Sequence, residues 1–314
     1  MAKLVVFGAT GQQGHSILTT ILAHPTLSTK YTLRGITRDA TKSKPQALAA
    51  QGVEIIEANL DDPSTLPAAV QDAHTVILIT ETQYVADLKA RETRQAKAVA
   101  DAAVAAGVQF FIFSTAVHCS VLRPREQGPP VDQFDVKAEV EAYLRTLPFK
   151  LGTAYIAPGM FMQNLTTVMA PRRQDDGSYA IVGINDPDAK IPLIDAAGDS
   201  GSYLVPFLER PEESNGKVIY AASGVYSFAE MAGIIAQASG QVTKYVQIPG
   251  SVYQGFMHEE QGARMVAMMS FLDRPGYFGE GTEGKVAEGV ESVRKSGGRL
   301  TSFEEFAGRH CKTL

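Results

Sequence analysis

The stretch from Leu4 to Leu22 limits the choice of fold more than any other. Leu4-Val5-Val6-Phe7 is a short run of β-branched and aromatic residues, the pattern of a buried strand. It runs into Gly8-Ala9-Thr10-Gly11-Gln12-Gln13-Gly14, and then into a stretch where Ile17, Leu18, Ile21 and Leu22 share one helical face. Strand, glycine turn and helix in that order give the spacing Gly-x-x-Gly-x-x-Gly a mechanism. Gly8 permits the tight turn out of the strand. Gly11 leaves the backbone open to a pyrophosphate, and Gly14 lets the helix lie close to the sheet. The N–H groups that open the helix have no partners there and face the phosphates. Thr10, Gln12 and Gln13 complete this predicted dinucleotide-binding turn.

The same alternation continues. Strands are expected at 31–37, 53–58, 75–79, 108–113 and 150–156, with helices between them, including Tyr84–Ala106 and Phe134–Leu147. Thr75–Ile79 is apolar almost throughout, as a central strand covered on both faces should be. Strands alternating with helices imply an α/β, Rossmann-type, doubly wound parallel sheet with right-handed crossovers. After Pro158-Gly159 the alternation decays. Residues 1–157 are therefore expected to form the Rossmann domain, with strands near 179–194 and 217–222 returning to it. Residues 158–314 are expected to supply a smaller, α-rich C-terminal domain for substrate or partner. The stretch from Ala116 to Gln133, with three prolines and a glycine, reads as loop.

Composition removes several function classes. A net charge of −5 argues against nucleic acid, which wants a basic face. No apolar run approaches the roughly 18 residues of a membrane span, and no signal-peptide pattern opens the chain. Two cysteines, Cys119 and Cys311, read as free thiols of a reducing, cytoplasmic compartment. The six histidines are scattered, so no metal site is expected.

With these residues in place the chain resembles the NmrA-like family, atypical members of the short-chain dehydrogenase/reductase superfamily. The carriers are the glycine turn, Thr37-Arg38, Asn59-Leu60-Asp61-Asp62, Gln133–Glu141 with its Phe-Asp-x-Lys core, Gly159–Leu165 and Leu300–Phe306. The resemblance runs nearly end to end. It implies one of two functional kinds: an NADPH-dependent reductase of quinones, phenolic ethers or secondary metabolites, or a dinucleotide-binding regulator that senses redox state through a protein partner. A non-redox biosynthetic enzyme on the same scaffold is a third reading.

The site residues follow from the turn and the resemblance together. Arg38, after the second strand, suits the 2′-phosphate of NADP(H) where an acid would favour NAD, and Lys42 adds charge. Asp61 stands where relatives hold the adenine amino group, or else satisfies its own turn. Thr80 and Thr82 stand where the nicotinamide ribose passes in the family, and Ser114 matches the superfamily's catalytic serine. Lys137 matches its conserved lysine. One turn earlier, however, the usual catalytic tyrosine is Gln133, an amide that cannot give up a proton near neutrality. Lys137 itself, His118, Tyr84 and Tyr155 are the candidates to replace it. Seven methionines, with Phe161, Phe256 and Phe271, gather in the C-terminal half as core or as a flexible apolar pocket.

Overall fold

The computed structural model describes residues 1–123 and 128–313, so four residues of the expected 116–133 loop lie outside the described residues. The first half gives β1 (Ala2–Phe7), α1 (Gln12–Ala23), α2 (Leu27–Lys30), β2 (Tyr31–Thr37), α3 (Ser43–Ala50) and β3 (Glu54–Glu57). Then come α4 (Leu66–Val70), β4 (Thr75–Leu78), α5 (Leu88–Ala105), β5 (Phe110–Ser114), α6 (Cys119–Leu122), α7 (Asp132–Leu144) and β6 (Gly152–Pro158). The second half gives β7 (Met160–Phe161), β8 (Arg172–Arg173), β9 (Tyr179–Gly183), β10 (Lys190–Ile194), α8 (Ala196–Glu209), β11 (Val218–Ala221), β12 (Gly224–Ser227) and α9 (Phe228–Ser239). It closes with β13 (Thr243–Gln247), α10 (Gly250–Gln254), α11 (Glu259–Asp273), α12 (Thr282–Lys295) and α13 (Phe303–His310).

Seven strands form one parallel sheet in the order β11-β6-β5-β4-β1-β2-β3. It is the doubly wound Rossmann arrangement, with its switch point between β1 and β4. The two-residue period of the strands divides the core. Leu4, Val6, Ile77, Phe110 and Ile112 pack towards α1 and α8, while Val5, Phe7, Val76, Phe111 and Phe113 pack towards α4, α5 and α7. Truncating a fully buried ring such as Phe113 to alanine should cost roughly 3–5 kcal/mol.

The C-terminal half departs from expectation. Strands near 179–194 were expected to rejoin the Rossmann domain, but β9 and β10 lie in two separate three-stranded sheets, β13-β9-β8 and β12-β10-β7. Only β11 returns, parallel beside β6. The chain leaves the sheet at Gly159, where an added Cβ would sit 2.5 Å from the Pro192 carbonyl oxygen, so only glycine lets β10 pass this closely. In the opposite sense, α8 packs back on α1 through Gly201, whose N–H donates to Ser16 Oγ at 3.1 Å. Smaller shifts have local causes. The long helix starts at Leu88, not Tyr84, and the next one starts at Asp132. Asp132 is therefore a helical residue, and its carboxylate lies 3.8 Å from Arg264 on α11. The expected loop also contains α6. No described helix is long and apolar enough to cross a membrane.

Candidate functional site

The glycine turn takes the form that its sequence demands. Gly8 has φ +79°, a left-handed conformation that disfavours a side chain, and the Gly11 N–H returns to the Gly8 carbonyl at 3.0 Å. A Cβ on Gly14 would fall 2.2 Å from the Gly8 oxygen, which is why the helix can touch the strand end only here. Gly11 is the N-cap of α1 and no side chain caps the helix. Gly8, Gly11 and Gln12 are exposed, and Thr10 is half-buried beside them, so the positive end of the helix is bare. Gln13 points across the switch point, and its Oε1 accepts from the Ser114 hydroxyl at 3.0 Å.

Two cations stand at the tip of β2. Arg38 is 69% exposed and meets Glu81 only at 3.4 Å, and Lys42 reaches Asp39 at 3.9 Å. Neither is committed to a tight partner. Asp61 is committed. Its oxygens accept from the Arg91 guanidinium and from Gln95 Nε2 at 2.8 Å, both on α5, and the guanidinium pulls the carboxyl down to about 2. Asp61 thus holds α5 to the end of β3, and the turn-capping role falls to Asp62, which accepts from the Ser64 N–H at 3.1 Å.

The densest polar cluster lies under the ends of β4 and β5. Glu92 on α5 is 3% exposed and is the hub. Thr80 Oγ1 donates to one of its oxygens at 2.6 Å and Thr82 Oγ1 to the other at 3.0 Å, and Lys137 Nζ donates to the first oxygen and to Thr80 Oγ1 at 2.9 Å. Lys137, Thr80 and Thr82 are thus brought together as the sequence suggested, by a residue it did not single out. A signal existed. On α5 the buried stripe runs Leu88, Glu92, Gln95, Ala96, Val99, Ala103, and a glutamate on such a stripe needs a buried cation.

These residues form one wall of a cavity of about 690 Å³ at the carboxyl ends of β4, β5 and β6. Gln13, Thr80, Thr82, Ser114, Gln133 and Lys137 line it on the sheet side. Six of the seven methionines singled out, Met160, Met169, Met257, Met265, Met268 and Met269, line it with Phe161 and Phe256, while Met162 and Phe271 are core. Gln133 is 4% exposed, and its amide donates weakly, at 3.5 Å, to the Arg264 carbonyl.

Two candidate proton donors lie elsewhere. Tyr155 is fully buried on the opposite face of the sheet, bonded to Thr153 at 2.7 Å and covered by the Arg145 guanidinium, with burial pushing its hydroxyl up to about 12. The two-residue period of β6 turns it away from the cavity. His118 is not among the cavity residues either. It turns back on α7, with Nδ1 3.1 Å from Asp135 Oδ1 and Nε2 3.8 Å from Glu139. Asp135, the aspartate of Phe-Asp-x-Lys, is occupied in holding the Ser120 N–H at 3.1 Å. The tyrosines that do reach the cavity are Tyr84, which was named, and Tyr253 and Tyr277, which were not. All three hydroxyls are pushed up from the ordinary range by burial. Tyr277 packs on Phe134, the neighbour of Gln133, with ring centroids 5.6 Å apart. Its position in Arg-Pro-Gly-Tyr-Phe gives no periodicity from which this could be read.

Compared with known proteins, residues 1–307 match the model of the NmrA-like family. The chain belongs to that family. Among curated relatives, an NmrA-like family domain-containing oxidoreductase, ptmS of Penicillium ochrochloron, is 27% identical over 77% of this chain and 75% of its own. The NAD(P)H azoreductase of Xenophilus azovorans is 26% identical over 98% of both chains. Among solved structures, the negative transcriptional regulator NmrA, crystallised with NADP, aligns with a TM-score of 0.78 at 22% identity, covering 98% of this chain and 94% of that one. The family thus includes proteins named as oxidoreductases and one named as a regulator.

Proposed function

We propose that this chain is an NADPH-dependent oxidoreductase that reduces a bulky, apolar, conjugated small molecule such as a quinone, an enone or an azo compound. One observation carries the reading: the cavity opens at the carboxyl ends of β4–β6, beside the bare glycine turn, with a polar wall on the sheet side and methionines opposite. In this reading residues 1–157 hold the dinucleotide and residues 158–314 complete the substrate cavity.

The residues suit an NADP(H) molecule. Gly8, Gly11 and Gly14 keep the turn open and the uncapped start of α1 faces outward, which is a cradle for a pyrophosphate. In this reading Arg38 and Lys42, beyond the end of β2, would hold the 2′-phosphate, since a guanidinium prefers that group to a bare hydroxyl. Thr80 and Lys137, which line the cavity, would hold the nicotinamide-side ribose. A reduced nicotinamide, when bound, supplies the hydride.

The chain's own contribution is positioning and charge. Lys137 holds a cation in the cavity wall, with its Nζ fixed by Glu92 and Thr80 and Glu92 in turn held by Thr82. That cation stabilises negative charge that develops on a substrate oxygen or nitrogen. Gln133 orients the substrate but gives no proton, and the Ser114 hydroxyl is held by Gln13. Such a site suits acceptors whose reduced form is a stabilised anion, protonated from water or from Tyr84 or Tyr277 at the cavity wall. Simple ketones, which need a strong acid in place, should be poor substrates. The test is NADPH consumption against quinones, enones, azo compounds and simple ketones. Turnover of ketones alone, or of none of the panel, would overturn the reading.

The second reading, a redox sensor acting through a protein partner, is favoured by one observation: Lys137 is already bonded to Glu92, and Gln133 replaces the tyrosine. It predicts affinities for NADPH and NADP⁺ that differ at least tenfold, with no turnover of any acceptor.

A further inference from the structure

The cavity has an uneven distribution of charge. Among its described lining residues only Lys137 and Arg172 are formally charged, and no aspartate or glutamate is among them. The charge of Lys137 is met by Glu92 behind the wall. The charge of Arg172 is not met, since no ion pair joins it to a carboxylate among the described residues. Arg172 is exposed on β8, with its guanidinium carbon 5.5 Å from the centre of the Phe256 ring. Phe256 is itself 52% exposed, Tyr253 stacks edge-on against it at 6.0 Å, and Val168, 75% exposed, also lines the cavity. An unpaired planar cation therefore lies among apolar groups at the solvent side of an apolar cavity. Apolar side chains left open to water here are a contact surface in search of a ligand.

We propose that Arg172 makes this cavity selective for aromatic anions, with the rings of the ligand against Phe256 and Tyr253 and a carboxylate or sulfonate on the guanidinium. The proposal rests on the reading of the cavity as a site for an organic substrate. The physical case is direct. A guanidinium binds a carboxylate or sulfonate through two parallel N–H donors, and its flat face remains free to stack on an arene. An anion placed here gains this pairing and meets no like charge. A cationic arene of equal size finds no counter-ion, and a neutral one has only the apolar contact. Arg173 supplies an internal control. It is the next residue on the same strand, so its side chain leaves the opposite face, and it is exposed and does not line the cavity.

The experiment compares two fluorescent probes with the same arene skeleton, 1-anilinonaphthalene-8-sulfonate and the neutral N-phenyl-1-naphthylamine. Both are titrated into the wild type, Arg172→Ala, Arg172→Lys and Arg173→Ala. The expected result is that the probes compete for one site in the wild type. Arg172→Ala then raises the sulfonate's Kd about tenfold and changes that of the neutral probe less than twofold, in line with loss of a charge-assisted bond that is partly open to solvent. Arg172→Lys gives an intermediate loss, and Arg173→Ala leaves both probes unchanged. Equal losses for both probes, an unchanged sulfonate Kd, or the same loss in Arg173→Ala would overturn the role of Arg172. Two probes that bind without competing would also overturn it. Failure of the sulfonate alone to bind the wild type would overturn the role of Arg172, whereas failure of both probes would remove the organic-substrate reading itself, a different result from all of these.

Discussion

The two walls of the cavity are built by different means. The sheet-side wall and the glycine turn are made of backbone geometry and of short polar side chains at strand ends, each fixed by a hydrogen bond. The opposite wall is made mostly of methionines and aromatic rings from β7, α10, α11 and the segments beside them, positioned by packing. The difference teaches where specificity can change. At Gly14 the Cβ position is already filled by neighbouring backbone and no side chain is tolerated, whereas unbranched thioether side chains adapt to new shapes at little cost. One wall is suited to a constant cofactor and the other to a variable substrate.

The sharpest way to break this contrast is within the turn. Gly14→Ala puts a methyl group 2.2 Å from the Gly8 oxygen and 2.9 Å from Ala9 Cα, both backbone, so the turn must move. The expected outcome is a loss of about 3 kcal/mol or more in denaturant unfolding together with loss of dinucleotide binding. Gly11→Val is different. Its first carbon would be 3.3 Å from the Gly8 oxygen, tight but open on the solvent side, so calorimetry should show NADPH binding weakened at least 100-fold with the fold kept. On the opposite wall, Met268→Leu should change stability by less than about 1.5 kcal/mol and alter which acceptor is preferred.

The next test addresses the Glu92 hub. Lys137→Met removes the charge and keeps much of the length, and should lower kcat by about 10²–10⁴ with a smaller effect on cofactor affinity. Glu92→Gln keeps one oxygen to accept from a threonine, turns the other position into a donor, and removes the counter-charge from Lys137. It should lower kcat less than Lys137→Met and shift the pH profile of kcat, which a purely structural role would not do. Glu92→Leu leaves the half-buried ammonium without its carboxylate, and should cost roughly 1–3 kcal/mol of stability. Turnover that survives Lys137→Met would remove the cation from the mechanism.

The legible and illegible parts of the site divide along the same line. The parallel sheet, the glycine turn and α7 could be read because local chemistry alone specifies them, through alternating apolar runs, a residue-specific turn and a helical stripe. Thr80 and Ser114 could be placed because they stand at the ends of strands, and Lys137 because the resemblance puts it on α7 one turn after Gln133. What could not be read depends on partners distant in the chain. Glu92 shares the apolar stripe of α5, which marks it as buried, but its partner Lys137 is on another helix and its sequence neighbours Arg91, Arg94 and Lys97 offer three nearer cations. Tyr155 and His118 were named for their chemistry, but the face of β6 and the pull of Asp135 take them away from the cavity. β9 and β10 have strand composition, and composition does not say which sheet a strand joins.

At the outer end of the cofactor side, Arg38→Ala should weaken NADPH about 10- to 30-fold and NADH less than threefold. The effect is discounted from that of a buried pair because Arg38 is 69% exposed. Fluorescence titration with both cofactors measures the ratio. Equal losses would mean that Arg38 does not read the phosphate.

The smallest effect concerns the seam between α8, which packs on α1 of the Rossmann unit, and the C-terminal segment. Asp199 on α8 is 4% exposed and accepts from the Thr301 N–H at 2.8 Å and its hydroxyl at 3.1 Å, which ties the segment before α13 to the helix that packs on α1. Burial raises its carboxyl to about 6, against the lowering by Thr301. The sign follows from linkage. The folded state prefers the protonated acid, so the stabilising contribution is complete below about pH 4 and is lost as the pH rises towards and through about 6. Between pH 5 and 8 the protein should lose roughly 1 kcal/mol of stability from this group. Asp199→Asn keeps an acceptor for the Thr301 N–H and cannot titrate, so it should match the wild type near pH 4 and melt higher at pH 8. If the two halves unfold as one unit, the whole melting transition shifts with it. If calorimetry resolves two transitions and only one responds, the C-terminal half is a separate cooperative unit. A wild type whose Tm is flat from pH 5 to 8, with Asp199→Asn no more stable at pH 8, would show that Asp199 stays charged at the seam.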